Sequence, residues 1–170
     1  MVLPMKKVLI YTDGSSRGNP GPGGYGAVLL FGEHKKELSA GYRETTNNRM
    51  ELLAVIVALE SLKFACNVEI FSDSKYVINA MNKGWVIGWS QRGWLKADKK
   101  AVKNVDLWKR LYHVAQDHDV TWTWVKGHAG NEYNEICDEL ATTAAQGEQL
   151  SIDEGYITEE GEGELFGNLS

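Results

Sequence analysis

Four carboxylates and one histidine carry the residue types and spacing that could do chemistry here. Asp13 closes an apolar, β-forming run, Asp73 closes a later one, Glu51 falls in the first turn of a long helical pattern, and Asp138 lies inside the last helical pattern. If the two runs are neighbouring strands, their C-terminal ends bring Asp13 and Asp73 together, and two docking helices can add Glu51 and Asp138. Four carboxylates in one place repel one another unless a divalent cation neutralises them. Such a group suits a two-metal site, with ions about 3.5–4 Å apart activating a water and stabilising the leaving oxygen of a phosphodiester. Taken singly, each acid also has an ordinary role. Glu51 can complete a capping box with Asn48, Asp13 and Asp73 can begin turns, and Asp138 can face solvent. His128 stands between glycines in Lys126-Gly127-His128-Ala129-Gly130, either as a proton carrier near neutral pH or as an exposed loop histidine.

The elements that must position these residues follow from periodicity. Lys6–Asp13 reads as a strand, Gly14–Gly24 as a Gly/Pro loop, and Tyr25–Phe31 with Lys36–Tyr42 as a hairpin about Gly32-Glu33-His34. Thr45–Leu62 carries a broad helical stripe, with Asn47 or Asn48 as its N-cap. Val68–Phe71 is a further strand, Ser74 caps a short helix over Lys75–Met81, and Asn82–Lys100 is irregular or helical. Val102–Ala115 reads as a helix, Val120–Val125 as a strand and Asn131–Ala145 as an Ala-rich helix. Three strands followed by helix–strand alternation predict a mixed sheet with helices on its faces. The run Gly21-Pro22-Gly23-Gly24-Tyr25-Gly26 spells a dinucleotide fingerprint, but a strand follows it rather than a helix, which excludes that reading.

Composition bounds the rest. The 170 residues suit one domain, and 43% apolar with 24% charged content is that of a globular chain. No apolar run reaches the length of a membrane span and no signal core stands at the N-terminus, so a cytoplasmic monomer without membrane contact is expected. Cys66 and Cys137 form no disulfide framework.

The net charge of −5 averages two opposite segments. Glu148–Ser170 holds seven acids and no Lys or Arg; without them the body has 18 cations against 16 acids, a net +2. Lys75–Arg110 alone carries nine basic and two acidic residues, and between Lys83 and Lys109 it interleaves Trp85, Trp89, Trp94 and Trp108 with lysines and an arginine. Lysines neutralise phosphates and flat rings pack on sugars or bases, so this segment reads as a nucleic-acid contact, with Trp108 in the core.

Together these motifs resemble bacterial type I ribonuclease H. The resemblance rests on Tyr11-Thr12-Asp13-Gly14-Ser15, Gly18-Asn19-Pro20-Gly21 through Gly26, Thr46-Asn47-Asn48-Arg49-Met50-Glu51-Leu52 and Ser72-Asp73-Ser74. It continues in Lys99–Trp108 and in Val125-Lys126-Gly127-His128-Ala129-Gly130 to Cys137-Asp138-Glu139-Leu140-Ala141, and runs in order from Lys6 to Ala145. It implies an α/β fold with a five-stranded mixed sheet flanked by helices. It also implies endonucleolytic hydrolysis of the RNA strand of RNA/DNA hybrids, leaving 3′-hydroxyl and 5′-phosphate ends with little sequence preference. By motif position Asp13, Glu51, Asp73 and Asp138 hold two Mg²⁺, or Mn²⁺, and His128 assists proton transfer or product release. Gly14, Asn19, Asn47 and Asn48 touch the hybrid, Thr46 with Asn19 seats a DNA-strand phosphate, and a basic protrusion over about 82–100 grips the DNA strand through Trp85, Trp89, Lys96, Lys99 and Lys100. Lys75 stands where relatives often carry Gln, near the scissile strand; Met81–Trp89 is about one residue longer, and Arg17 adds a cation to the first loop.

On this reading residues 1–147 form the catalytic domain and 148–170 an acidic C-terminal tail outside the resemblance. Three roles are open for the tail: a solvating, flexible segment; an acidic segment folding back on the basic protrusion; or a docking motif for a replication or repair protein around Leu165-Phe166, similar to sliding-clamp ligands. Two rival functions also stand: a catalytically silent hybrid-binding module and a recombinase-type nuclease.

Overall fold

The computed structural model describes residues 5–127 and 130–167, with side chains through residue 162. Strands β1 (Lys6–Ser16), β2 (Gly21–Phe31) and β3 (His34–Thr45) precede helix α1 (Asn47–Glu60). Then follow β4 (Cys66–Ser72), α2 (Lys75–Asn82), α3 (Trp85–Gln91), α4 (Val105–Ala115), β5 (Asp119–Trp124), α5 (Glu132–Ala145) and α6 (Glu154–Gly167). The sheet order is β3-β2-β1-β4-β5. The β1/β2 and β2/β3 pairs are antiparallel, while β1/β4 and β4/β5 are parallel. The expected five-stranded mixed sheet with flanking helices is the observed fold.

Period-2 alternation along the central strands gives the sheet two covered faces. Val8, Ile10, Val68 and Ile70 join α1 and the fully buried Trp108 of α4 in the main core. On the other face Tyr11 stacks on Phe71 at 4.6 Å and meets Tyr133 of α5 at 5.1 Å.

The Gly/Pro-rich run expected as a loop over 14–24 is mostly strand, and only residues 17–20 connect β1 to β2. Its glycines give clearance rather than turns. A Cβ on Gly24 or Gly26 would stand 2.4 Å from the α5 carbonyls of Ala141 or Cys137, so the α5 backbone lies directly on β2. The N-cap of α1 is Thr46, not Asn47 or Asn48; its hydroxyl accepts from the Arg49 N–H at 3.3 Å. The capping box of Glu51 with Asn48 is therefore not formed. Ser74 caps α2 as expected, and Asn131 caps α5. Between 82 and 100, the stretch read as irregular or helical, α3 is helical and the remainder is a turn closed by a Leu95–Ala101 bridge.

The segment after Gly147 is not free of the body: it is largely exposed but docks at Ser151 and Asp153. Ser151 pairs with the edge of β3, donating to the Gly41 carbonyl and accepting from the Arg43 N–H, both at 2.9 Å. Asp153 is 8% exposed, accepts from Thr45 Oγ1 at 2.6 Å and from Arg49 Nε at 2.8 Å, and caps α6 by accepting from the Tyr156 N–H. Arg49, 1% exposed in α1, completes the pairing with Asp106 at 2.7 and 2.8 Å. A guanidinium can be buried there because its fork meets two carboxylates. Gly155 admits this packing: a Cβ would fall 2.0 Å from Asp106 Oδ2.

Candidate active site

Parallel pairing of β1 with β4 puts the ends of both strands side by side, with Asp13 on one and Asp73 just past the other. Gly14 then sets how close α1 can come. A Cβ on Gly14 would lie 2.4 Å from the Glu51 nitrogen and the Met50 carbonyl carbon, so only glycine lets the helix rest on the strand end. The result is a set of carboxylate oxygens from Asp13, Glu51 and Asp73 all within 4.8 Å of one another. Asp138, from α5, lines the same cleft of about 450 Å³, with Ser15, Asn47, Asn48, Ser74, Lys75 and Tyr76.

Burial makes this group electrostatically costly. Asp13 is 6% exposed and Glu51 4%. Burial, opposed in part by a hydrogen bond with Glu51 and reinforced by the charges of Asp73 and Asp138, pushes the Asp13 carboxyl up to about 7. The Gly14 N–H, 2.9 Å from Asp13 Oδ1, also works against that rise. Burial, then repulsion from Asp13, raises Glu51 well above the usual carboxylate range. Glu51 Oε2 is buried and accepts no hydrogen bond among the described residues. A buried, unpartnered oxygen within a carboxylate cluster is the donor set that a divalent cation fits.

The structure distributes the other expected site residues unevenly. Asn47 and Asn48 are exposed at the cleft, and Asn19 accepts from the Asn47 N–H at 3.1 Å, tying the β1–β2 connection to the start of α1. Thr46 turns its hydroxyl to the cap. Lys75 stands at the cleft rim with its ammonium 4.9 Å over the Trp124 ring. Trp85, Lys96, Lys99 and Lys100 are exposed but lie away from the cleft lining, on α3 and the turn beyond it. Trp89 is half-buried in a T-shaped contact with Trp108, ring centroids 5.4 Å apart, so part of its surface belongs to packing rather than to a ligand. His128 lies outside the described residues. Burial pushes the Cys137 thiol up to about 12, and it donates to the Tyr11 carbonyl as a packing residue.

Several contributors escaped sequence reasoning. Gly127 abuts Asp73, where a Cβ would meet Oδ2 at 2.6 Å. Tyr76 accepts from Asn104 Nδ2 and Trp108 Nε1 behind the cleft wall. The Trp124 indole donates to the Asp73 carbonyl at 3.1 Å. The glycine spacing around His128 was the only local signal for any of them.

A β3-β2-β1-β4-β5 sheet flanked by helices, with acidic residues clustered near the ends of its parallel β1/β4 pair, is the arrangement of the ribonuclease H-like α/β class. Comparison with known proteins narrows this. The family model described as RNase H matches residues 5–146. The chain is 60% identical over 152 residues to the ribonuclease H of Pseudoalteromonas atlantica, covering 89% of this chain and 99% of that protein. It is 56% identical over 153 residues to the ribonuclease H of Syntrophus aciditrophicus, covering 90% and 88%. Among solved structures, LC9-RNase H1, a type 1 RNase H with the type 2 active-site motif, superposes with a TM-score of 0.78 at 34% identity, covering 89% of this chain and 77% of that one. LC11-RNase H1, solved in complex with an RNA/DNA hybrid, gives a TM-score of 0.63 at 28% identity, covering 81% and 96%. The chain belongs to the RNase H family, and is thereby a metal-dependent endoribonuclease. Among the described residues no helix is long and apolar enough to cross a membrane.

Proposed function

We propose that this protein hydrolyses the RNA strand of RNA/DNA hybrids, with Asp13, Glu51, Asp73 and Asp138 holding two Mg²⁺ ions, for which Mn²⁺ can substitute. The observation that carries the reading is the cluster of buried Asp13 and Glu51 with half-buried Asp73, with an unpartnered oxygen on Glu51. Bound divalent cations supply neutralisation of the phosphodiester, activation of a water and stabilisation of the leaving 3′-oxygen. The protein's own groups do the rest. Asp13 and Glu51 surrender the protons that burial favours when a cation enters. Gly14, Asn47 and Asn48 line the approach to the carboxylates and can exchange hydrogen bonds with a 2′-hydroxyl, the mark that separates RNA from DNA in a wide, shallow minor groove. Asn19 holds the start of α1 in place, and Thr46 with Asn19 seats a phosphate of the DNA strand.

Lys75 at the rim meets the backbone of the scissile strand. Trp85, the exposed part of Trp89, and Lys96, Lys99 and Lys100 grip the DNA strand away from the cleft. His128 moves a proton or aids product release. Water attack with a 3′-oxygen leaving group yields 3′-hydroxyl and 5′-phosphate ends. Contacts to sugar and phosphate carry no base information, so cleavage is largely sequence-independent. The test is a panel of end-labelled RNA/DNA hybrid, duplex DNA and duplex RNA with Mg²⁺. Hybrid-only cleavage with 5′-phosphate products supports the reading; DNA cleavage supports a recombinase-type nuclease; binding without cleavage supports a silent module.

A further inference from the structure

The edge of the cleft contains a contact that no metal ligand explains. Trp124 is the last residue of β5, paired with Ser72 at the end of β4. The sheet ladder stops there, with the Ser72 carbonyl accepting from the Val125 N–H at 3.0 Å. The next carbonyl, of Asp73, accepts from the Trp124 indole N–H at 3.1 Å. The same ring, 44% exposed, carries the Lys75 ammonium on its face at 4.9 Å. One side chain therefore grips the backbone of a candidate metal carboxylate by its edge and a cation at the cleft rim by its face.

We infer that Trp124 is a positioning residue with two separable effects: its N–H fixes Asp73 toward the metal, and its ring parks Lys75 toward the substrate backbone. The inference rests on the proposed function, and its test reads binding rather than turnover. Trp124→Phe keeps a ring and loses the N–H, whereas Lys75→Gln keeps the N–H and loses the cation. Mn²⁺ affinity in a calorimetric titration should weaken about tenfold for Trp124→Phe, the low end for a group acting behind a ligand. Lys75→Gln should keep wild-type Mn²⁺ affinity and lose hybrid affinity measured in EDTA. Wild-type Mn²⁺ affinity in Trp124→Phe, or parallel loss of both affinities in both variants, would overturn the assignment. Wild-type protein that binds Mn²⁺ yet leaves hybrid intact would instead count against the proposed function.

A separate observation concerns the acidic segment. Anchored by Asp153, α6 runs so that both carboxylate oxygens of Glu159 accept from the backbone N–H of Asn104, at 3.2 and 3.0 Å. Asn104 occupies the N-cap position of α4 without a side-chain cap and follows the exposed Lys103 of the lysine-rich segment. Its side chain donates to Tyr76, which lines the catalytic cleft. The Asn104 residue, 4% exposed beneath this turn of α6, stands at the positive end of α4 and next in sequence to the lysine-rich segment, where removal of the Glu159 carboxylate would leave an amide that favours an anion.

The geometry points to Glu159 as an internal competitor for the nucleic-acid backbone, so that hybrid binding must displace this turn of α6. Glu160→Gln removes the same charge from the same turn without the amide contact and serves as the control. Fluorescence anisotropy with labelled hybrid in EDTA, at about 50 mM salt, should show Glu159→Gln binding two- to tenfold tighter, with a smaller gain for Glu160→Gln and both gains shrinking at about 200 mM. A cut after Thr158 keeps the Asp153 anchor and should reproduce the gain. Unchanged or weaker binding by Glu159→Gln, or equal gains in the two variants, would overturn the competitor role. Loss of hybrid cleavage by wild type would count against the proposed function alone, because anisotropy needs no turnover.

Discussion

Replacing Asp13 by Asn should make the metal-free protein more stable, and the gain should depend on pH in a defined direction. Asn keeps the acceptor for the Gly14 N–H and can turn its amide toward Glu51 Oε2, the oxygen that accepts no bond among the described residues. What it removes is a buried charge whose carboxyl is displaced from 3.8 to about 7. That displacement is worth about 4 kcal/mol at most when the group is fully ionised. The folded state holds a proton that the unfolded chain has already released, so wild-type stability falls as pH rises from about 4 through about 7. Thermal melts in EDTA at about pH 8 should place Asp13→Asn roughly 5–15 °C above wild type, at a few degrees per kcal/mol for a chain of this size. Near pH 4 the gap should close to a few degrees. Saturating Mg²⁺ should raise the wild-type midpoint at pH 8 and leave the variant almost unmoved. A variant less stable than wild type, or a gap that ignores both pH and metal, would refute the claim that the site is destabilised until a cation enters.

The Arg49 pairing gives the opposite pH sign. Burial raises Asp106, but its hydrogen bond and charge pairing with Arg49 outweigh that and hold it below its ordinary 3.8, so its contribution is lost only as pH falls below that range. Asp153→Asn leaves Arg49 with one carboxylate and should cost about 1–3 kcal/mol in urea unfolding, less than full loss of a buried pair because Asp106 remains. Gly14→Ala should force β1 and α1 apart, costing about 1–3 kcal/mol in the same assay and at least about 100-fold in hybrid cleavage. Replacing Lys96, Lys99 and Lys100 together by Ala should raise KM for hybrid more than it lowers kcat, and should flatten the dependence of log affinity on log salt by up to about 0.9 per lost contact.

The sheet was legible because its strands alternate and its helices change period; so was the acidic cluster, because Asp13, Glu51 and Asp73 fall near the ends of elements, while Asp138 lies inside α5. The glycine run misled for a local reason. Gly14–Gly24 spells a loop, yet Gly24, with Gly26 just beyond it, serves an α5 backbone more than 100 residues away in the chain. The tail misled in the same way. Composition leaves 148–170 open between a solvating and a docked segment, and no pattern within the tail announces that Asp153 meets Arg49, 104 residues earlier. Likewise no sequence pattern marks Trp124 or Tyr76, which β5 places at the Asp73 carbonyl and α2 places at Asn104. Trp89 shows the limit of counting aromatics among lysines, since its ring packs on Trp108.

Single-turnover cleavage of an end-labelled RNA/DNA hybrid, followed for wild type and Asp73→Asn across a Mg²⁺ titration, tests the central claim most directly. The account predicts scission of the RNA strand alone by wild type, abolished by chelation, and a loss of several orders of magnitude in Asp73→Asn with hybrid binding retained. Metal-independent cleavage, or an Asp73→Asn variant that cuts at close to the wild-type rate, would contradict it.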